Sequence, residues 1–99
     1  MAPAYAMARM LTRAKMQLSD FDIYDIHEAF AAQVLCTLKA WESDEFCRSE
    51  LGLDRALGVL DRSKLNIDGG AIALGHPLGA TGAMLIGTVL DELERRQLR

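Results

Sequence analysis

The chain has two histidines, and both stand where an imidazole could do chemistry. His76 lies in Asn66-Ile67-Asp68-Gly69-Gly70-Ala71-Ile72-Ala73-Leu74-Gly75-His76-Pro77-Leu78-Gly79-Ala80-Thr81-Gly82, a run that holds five of the eight glycines (Gly69, Gly70, Gly75, Gly79, Gly82). Each glycine removes a Cβ that would keep another backbone or a ligand at a distance. Pro77 fixes its own φ and pushes the residue before it toward an extended conformation, so the imidazole is carried on a stiff stalk. Histidine's ordinary pKa lies nearest neutrality, which lets a positioned ring take and return a proton at little cost. A lone histidine is as often a satisfied structural group, and from spacing alone the two readings of His76 stand level. A third reading makes the glycine run a phosphate cradle ahead of a helix, but it lacks the Gly-Lys-Ser/Thr of a P-loop and the spacing of a dinucleotide fingerprint.

The second constellation is His27-Glu28-Ala29-Phe30. Before it, Phe21 to Ile26 is rich in aromatic and β-branched residues and reads as a strand. After it, Phe30, Val34, Leu38 and Trp41, with Ala31 and Leu35 beside them, space out as an amphipathic helix. His27 and Glu28 are thus expected at the C-terminal end of a strand and the N-terminal end of a helix, the edge where ligands bind in open α/β sheets. A carboxylate is favoured there by the helix dipole, which is reason enough for Glu28. A cation is disfavoured, so His27 reads as a neutral, hydrogen-bonding ring.

The remaining elements supply the frame. Pro3 suits the first turn of a helix whose apolar stripe is Met7, Met10, Leu11 and Ala14, closed by a turn at Ser19-Asp20. Ser43 can cap a short helix with Asp44 and Glu45 in its first turn, ending near Gly52. Leu53 to Lys64 reads as loop with a helical turn. A short extended segment then enters the glycine run, and a last helix starts near Gly79 with Gly82, Leu85, Ile86, Val89, Leu90 and Leu93 as its apolar face. Asp91/Arg95 and Glu92/Arg96 pair on the outside at i,i+4. The order helix, strand, helix, short helix, strand, helix predicts an α/β fold with parallel strands.

The totals limit the function. At 99 residues, 51% hydrophobic and net charge −3, the chain reads as one globular unit or a piece of one. Mild acidity with scattered Lys and Arg argues against nucleic acid, and no apolar run reaches spanning length, so no membrane span is expected. Cys36 and Cys47 have neither metal spacing nor a disulfide framework, which fits a reducing compartment and no metal site. The first nineteen residues carry Arg9, Arg13 and Lys15 but no acid, a bias similar to an organelle transit peptide, although the same spacing suits an ordinary packed helix.

His27-Glu28-Ala29-Phe30-Ala31-Ala32-Gln33 followed some forty residues later by Gly69-Gly70-Ala71-Ile72-Ala73-Leu74-Gly75-His76-Pro77-Leu78-Gly79-Ala80-Thr81-Gly82 resembles the thiolases, acyltransferases that cleave or form 3-ketoacyl-CoA. The resemblance covers residues 1–99 as part of a thiolase C-terminal domain. It implies a two-strand parallel remnant of a five-stranded sheet packed with helices. By position, His76 matches the histidine that deprotonates the family's nucleophilic cysteine and helps form an oxyanion hole. His27 matches the place usually held by Asn, which orients a water in that hole, and histidine there resembles the long-chain, trifunctional-complex branch. Ala29 and Phe30 match residues lining the pantetheine and acyl pocket, and Gly75 and Gly79 shape the loop.

The resemblance further implies acyl-CoA and CoA as substrates, no resident cofactor, and a homo-oligomer in the intact enzyme, with a hydratase/dehydrogenase subunit as a possible partner. It implies a cytoplasmic enzyme, or a mitochondrial one if the source is eukaryotic. Neither the nucleophilic cysteine nor the family's second, Cys-x-Gly cysteine has a counterpart in these residues, so this chain by itself is expected to be inactive. A non-catalytic interaction or phosphate-binding fragment is the alternative, and a segment of a decarboxylating condensing enzyme a more remote one.

Overall fold

The computed structural model describes all of residues 1–99. The chain forms two units, one made of Met1–Asp20 and Ala32–Leu60, the other of Phe21–Ala31 and Asp61–Arg99. Its helices are α1 (Ala2–Ala14), α2 (Ala31–Glu42), α3 (Asp44–Ser49), the single turn α4 (Ala71–Leu74) and α5 (Thr81–Arg96), with 3-10 turns at Leu18–Asp20 and Arg62–Lys64. None is long and apolar enough to cross a membrane.

The first unit is built around Trp41, which is 1% exposed and donates its indole N–H to the Ala4 carbonyl at 3.3 Å. That approach requires small residues on α1. The buried stripe is accordingly Ala4, Ala8 and Leu11, not the methionine stripe expected from periodicity, and Met10 is 43% exposed. The basic leading stretch is therefore a helix with a packed face. Lys15 closes α1 in the left-handed region (φ 55°), so the turn comes four residues earlier than Ser19-Asp20. On α2 the buried residues are Val34, Thr37, Leu38, Ala40 and Trp41. Ser43 caps α3 as expected, accepting the Phe46 N–H at 3.1 Å. Cys47 is fully buried, its thiol donated to the Ala40 and Trp41 carbonyls at 3.4 and 3.7 Å, which makes it a structural residue.

The second unit contains no strand, so the expected two-strand parallel remnant is absent. One isolated parallel bridge joins Tyr24 and Leu65, made by Tyr24 N–H to Lys64 O and Asn66 N–H to Tyr24 O, both 2.8 Å. Pairing goes no further because Asn66 turns left-handed (φ 46°) and takes the backbone out of the ladder. Its carboxamide fills the next rung: Oδ1 accepts the Ile26 N–H at 2.8 Å while Nδ2 donates to the Ile26 carbonyl at 2.9 Å. Ile26 keeps strand-like satisfaction without a strand beside it.

The last helix begins at Thr81, two residues later than Gly79, and is rotated from the expected face. Thr81 and Glu92 are buried and Leu85 and Val89 half-buried, whereas Met84, Ile86 and Leu90 are 52%, 66% and 60% exposed. The expected Glu92/Arg96 pair forms, and Glu92 also takes Arg95, which was expected on Asp91. Hydrogen bonding and charge from these arginines, Arg95 foremost, lower its carboxyl from 4.5 to about 2. A depressed carboxyl contributes stability that is complete above its ordinary pKa and lost as pH falls through the lowered one. Helical circular dichroism of α5 is therefore expected to erode between about pH 4.5 and 2, and Glu92→Gln is expected to remove that acid step while weakening the helix at neutral pH.

Candidate active site

His27 and His76 come together in the second unit although 49 positions separate them in sequence. Their ring centroids are 4.4 Å apart and the planes tilt by 46°. His76 is exposed and His27 half-buried, so the pair lies at a surface and not in an apolar interior. The His76 Nδ1 is 2.7 Å from Thr81 Oγ1, whose hydroxyl in turn reaches the Pro77 carbonyl at 3.2 Å. The buried His27 Nδ1 has no hydrogen-bond partner in the chain.

A carboxylate sets the spacing between the two histidine segments. Glu28 Oε1 accepts from Asn66 Nδ2 at 2.9 Å, and Oε2 accepts the Ile72 N–H at 3.2 Å, at the start of α4. Glu28 thus satisfies a helix N-terminus, as its charge suggested, but the helix is α4, 44 residues away along the chain; α2 starts only at Ala31. The same arrangement needs a glycine. A Cβ on Gly70 would overlap the Glu28 carboxyl group, so the carboxylate could not keep this position. Gly75 is required for a different reason: at φ 93°, ψ 173° it ends α4 in a region open essentially to glycine alone, and the chain turns there into His76-Pro77. Gly79 and Gly82 meet nothing within 4 Å, so close approach within this chain explains neither.

The other expected site residues are surface groups. Ala29 is exposed and Phe30 is 74% exposed, outside the core of α2 to which periodicity assigned it. Asp25, two residues before His27, has a buried Oδ1 with no partner. Burial, and then the nearby charges of Glu28 and Asp68, push its carboxyl above the ordinary value, with His27 acting in the opposite sense. No group of three or more His, Cys, Asp or Glu side chains is placed to hold a metal ion. Cys36 and Cys47 both belong to the first unit. Asn66 and Thr81, each bonded to a histidine segment, carried no sequence signal, since both work through partners that only the folded chain brings near.

The phosphate-cradle reading meets an obstacle here. The Ile72 amide at the start of α4 already faces Glu28, and the Ala80 and Thr81 amides donate to Pro77 O at 2.8 and 3.0 Å. An anion would have to displace the chain's own acceptors.

The family model for the thiolase C-terminal domain matches residues 1–99. A 3-ketoacyl-CoA thiolase from Pectobacterium carotovorum is 53% identical over 96 residues, which are 97% of this chain and 22% of that protein. The 3-ketoacyl-CoA thiolase of Colwellia psychrerythraea is 49% identical over the same shares. Among solved structures, an acetyl-CoA acetyltransferase from Syntrophomonas wolfei superposes with a TM-score of 0.74 at 41% identity, covering 97% of this chain and 22% of its own. The chain therefore spans about a fifth of the length of the relatives it matches.

Two outcomes test the arrangement. Gly70→Ala is expected to cost about 1–3 kcal/mol by breaking the Glu28 hydrogen bonds, and the cost should shrink in a Glu28→Ala background, as a double-mutant cycle by chemical denaturation would read. Asp25→Asn is expected to raise the melting temperature at pH 7. An elevated carboxyl pKa means that stability is lost as pH rises through it, so the advantage should vanish below about pH 3.8, where the wild-type carboxyl is protonated in both states.

Proposed function

The chain belongs to the thiolase family through its C-terminal domain, and on that premise we propose that it supplies the base and the water-holding group of an acyl transfer between 3-ketoacyl-CoA and CoA. The 4.4 Å juxtaposition of His27 and His76 is the observation that carries this reading. It joins an acid/base group to a hydrogen-bonding ring at an accessible surface, as thioester chemistry with a developing oxyanion requires.

His76 takes the proton of a cysteine thiol, and the resulting thiolate attacks the 3-keto carbonyl. Cleavage of the carbon–carbon bond releases acetyl-CoA as its enolate is protonated, leaving the remaining acyl group on sulfur. The thiol of a second CoA then takes that acyl group. Neutral His27 has a ring nitrogen to give or accept a hydrogen bond, as a carboxamide does, and holds the water that stabilises the charge on the thioester oxygen. Coenzyme A enters as substrate and not as a resident cofactor.

Phe30, three residues beyond His27 and largely exposed, serves with Ala29 as wall for the pantetheine and acyl chain, while Gly75 and Gly79 shape the loop opposite. In the complete domain Phe21–Ile26 and the segment at Leu65 extend their single bridge into parallel strands of a five-stranded sheet. In this reading the intact enzyme is a homo-oligomer, cytoplasmic or, in a eukaryote, mitochondrial, to which a hydratase/dehydrogenase subunit can be a partner.

Thiolysis of acetoacetyl-CoA is the test. The 99-residue chain alone should show none. In a protein of the relatives' length containing these residues, His76→Ala should lose about 10²–10⁴-fold in kcat, and His27→Asn should retain turnover within about tenfold, since a carboxamide can hold the same water. Wild-type rates in the His76→Ala protein would exclude this residue as the base.

A further inference from the structure

We propose that Thr81 is a positioning residue which holds His76 as the Nδ1–H tautomer, leaving Nε2 as the ring's one basic nitrogen. The inference rests on the acyl-transfer reading for its purpose, but not for its geometry.

Three atoms form a chain: His76 Nδ1, Thr81 Oγ1 and Pro77 O, separated by 2.7 and 3.2 Å. One end of that chain has a fixed role, because a carbonyl oxygen only accepts. If the hydroxyl proton pointed at Nδ1, Oγ1 and the Pro77 oxygen would face each other as two acceptors with nothing between them. With the proton on the Pro77 side both contacts are satisfied, and Oγ1 has lone pairs left to accept from Nδ1–H. The direction of the first bond thus decides the second.

Local structure makes the arrangement cheap. Thr81 is the first residue of α5, and a helical threonine readily returns its hydroxyl to the carbonyl four residues back, here Pro77. Thr81 is also 6% exposed, so water competes little for its oxygen. A free neutral imidazole favours the opposite tautomer, with the proton on Nε2, and in that form His76 would present a donor where a base is needed. Once Nε2 has taken the thiol proton, Nδ1–H remains a donor to the same oxygen. The ring can therefore cycle between neutral and cationic forms with no rearrangement at Thr81.

The test is a long-range proton–nitrogen NMR spectrum of the ¹⁵N-histidine-labelled chain above the titration range of imidazole, with His27→Asn used to assign the two rings. His76 should show a pyrrole-type Nδ1 and a pyridine-type Nε2. Thr81→Val should shift the tautomer ratio toward Nε2–H by about fivefold, the size expected for one lost hydrogen bond, and Thr81→Ser should restore it. A wild-type His76 protonated on Nε2 would overturn the proposal, as would a Thr81→Val spectrum identical to wild type. Should the valine variant fail to fold, the wild-type tautomer still decides. The spectrum is read whether or not any thioester turns over, so failure of the acyl-transfer reading leaves this result separately visible.

Discussion

The second unit depends on one carboxamide. Asn66 gives and takes a hydrogen bond at the backbone of Ile26 and spends its other N–H on Glu28, which fixes its orientation, since the flipped amide would set donor against donor at Ile26. A buried peptide group left without partners costs on the order of 1–3 kcal/mol, and here a side chain does the work of a neighbouring strand. The backbone at Asn66 is then free to turn left-handed and lead into the glycine run. Without that substitution the chain could either continue a ladder or reach His76, but not both.

From this clasp the site follows by short steps. Glu28 is held by Asn66 and reaches the first turn of α4, which ends at a glycine that only its unusual dihedral angles allow, and His76 follows at once. His27 precedes Glu28 by one residue. The two rings meet because the carboxylate between their segments is tied on both sides, and because Gly70 leaves room for it. The approach of the two rings is a product of polar satisfaction more than of apolar packing.

Much of this was readable in the residues and some was not, for physical reasons. The positions of α1, α2, α3 and α5 and the Ser43 cap were legible, since caps and periodicity are local, whereas the single turn α4 inside the glycine run carried no such signal; that the two histidine motifs belong together was legible only through the family resemblance. The strands were not: Phe21 to Ile26 has strand composition, but extended pairing needs a partner, and Asn66 removes it after one bridge. The buried faces of α1 and α5 were misplaced because periodicity gives a stripe but not which half of it meets neighbours. Trp41 selected alanines over methionines on α1, and on α5 the side bearing Glu92 turned inward in place of the side bearing Ile86. The charge of Glu28 points to a helix N-terminus but not to which one, because its partner lies 44 residues downstream.

The exposure of Met84, Ile86 and Leu90, on both sides of the helix that starts at Thr81, bears on how long the imidazole keeps its anchor. Most helices in proteins owe their persistence to tertiary burial, and α5 buries only part of its stripe, whereas α2 sinks five residues including a tryptophan. Its backbone amides should thus exchange with solvent sooner than those of α2, through partial openings that need little free energy. Thr81 is the first residue of α5, and His76 Nδ1 lies on its hydroxyl. An opening of that first turn would release the ring it steadies, which ties the orientation of His76 to a local melting equilibrium at one helix end.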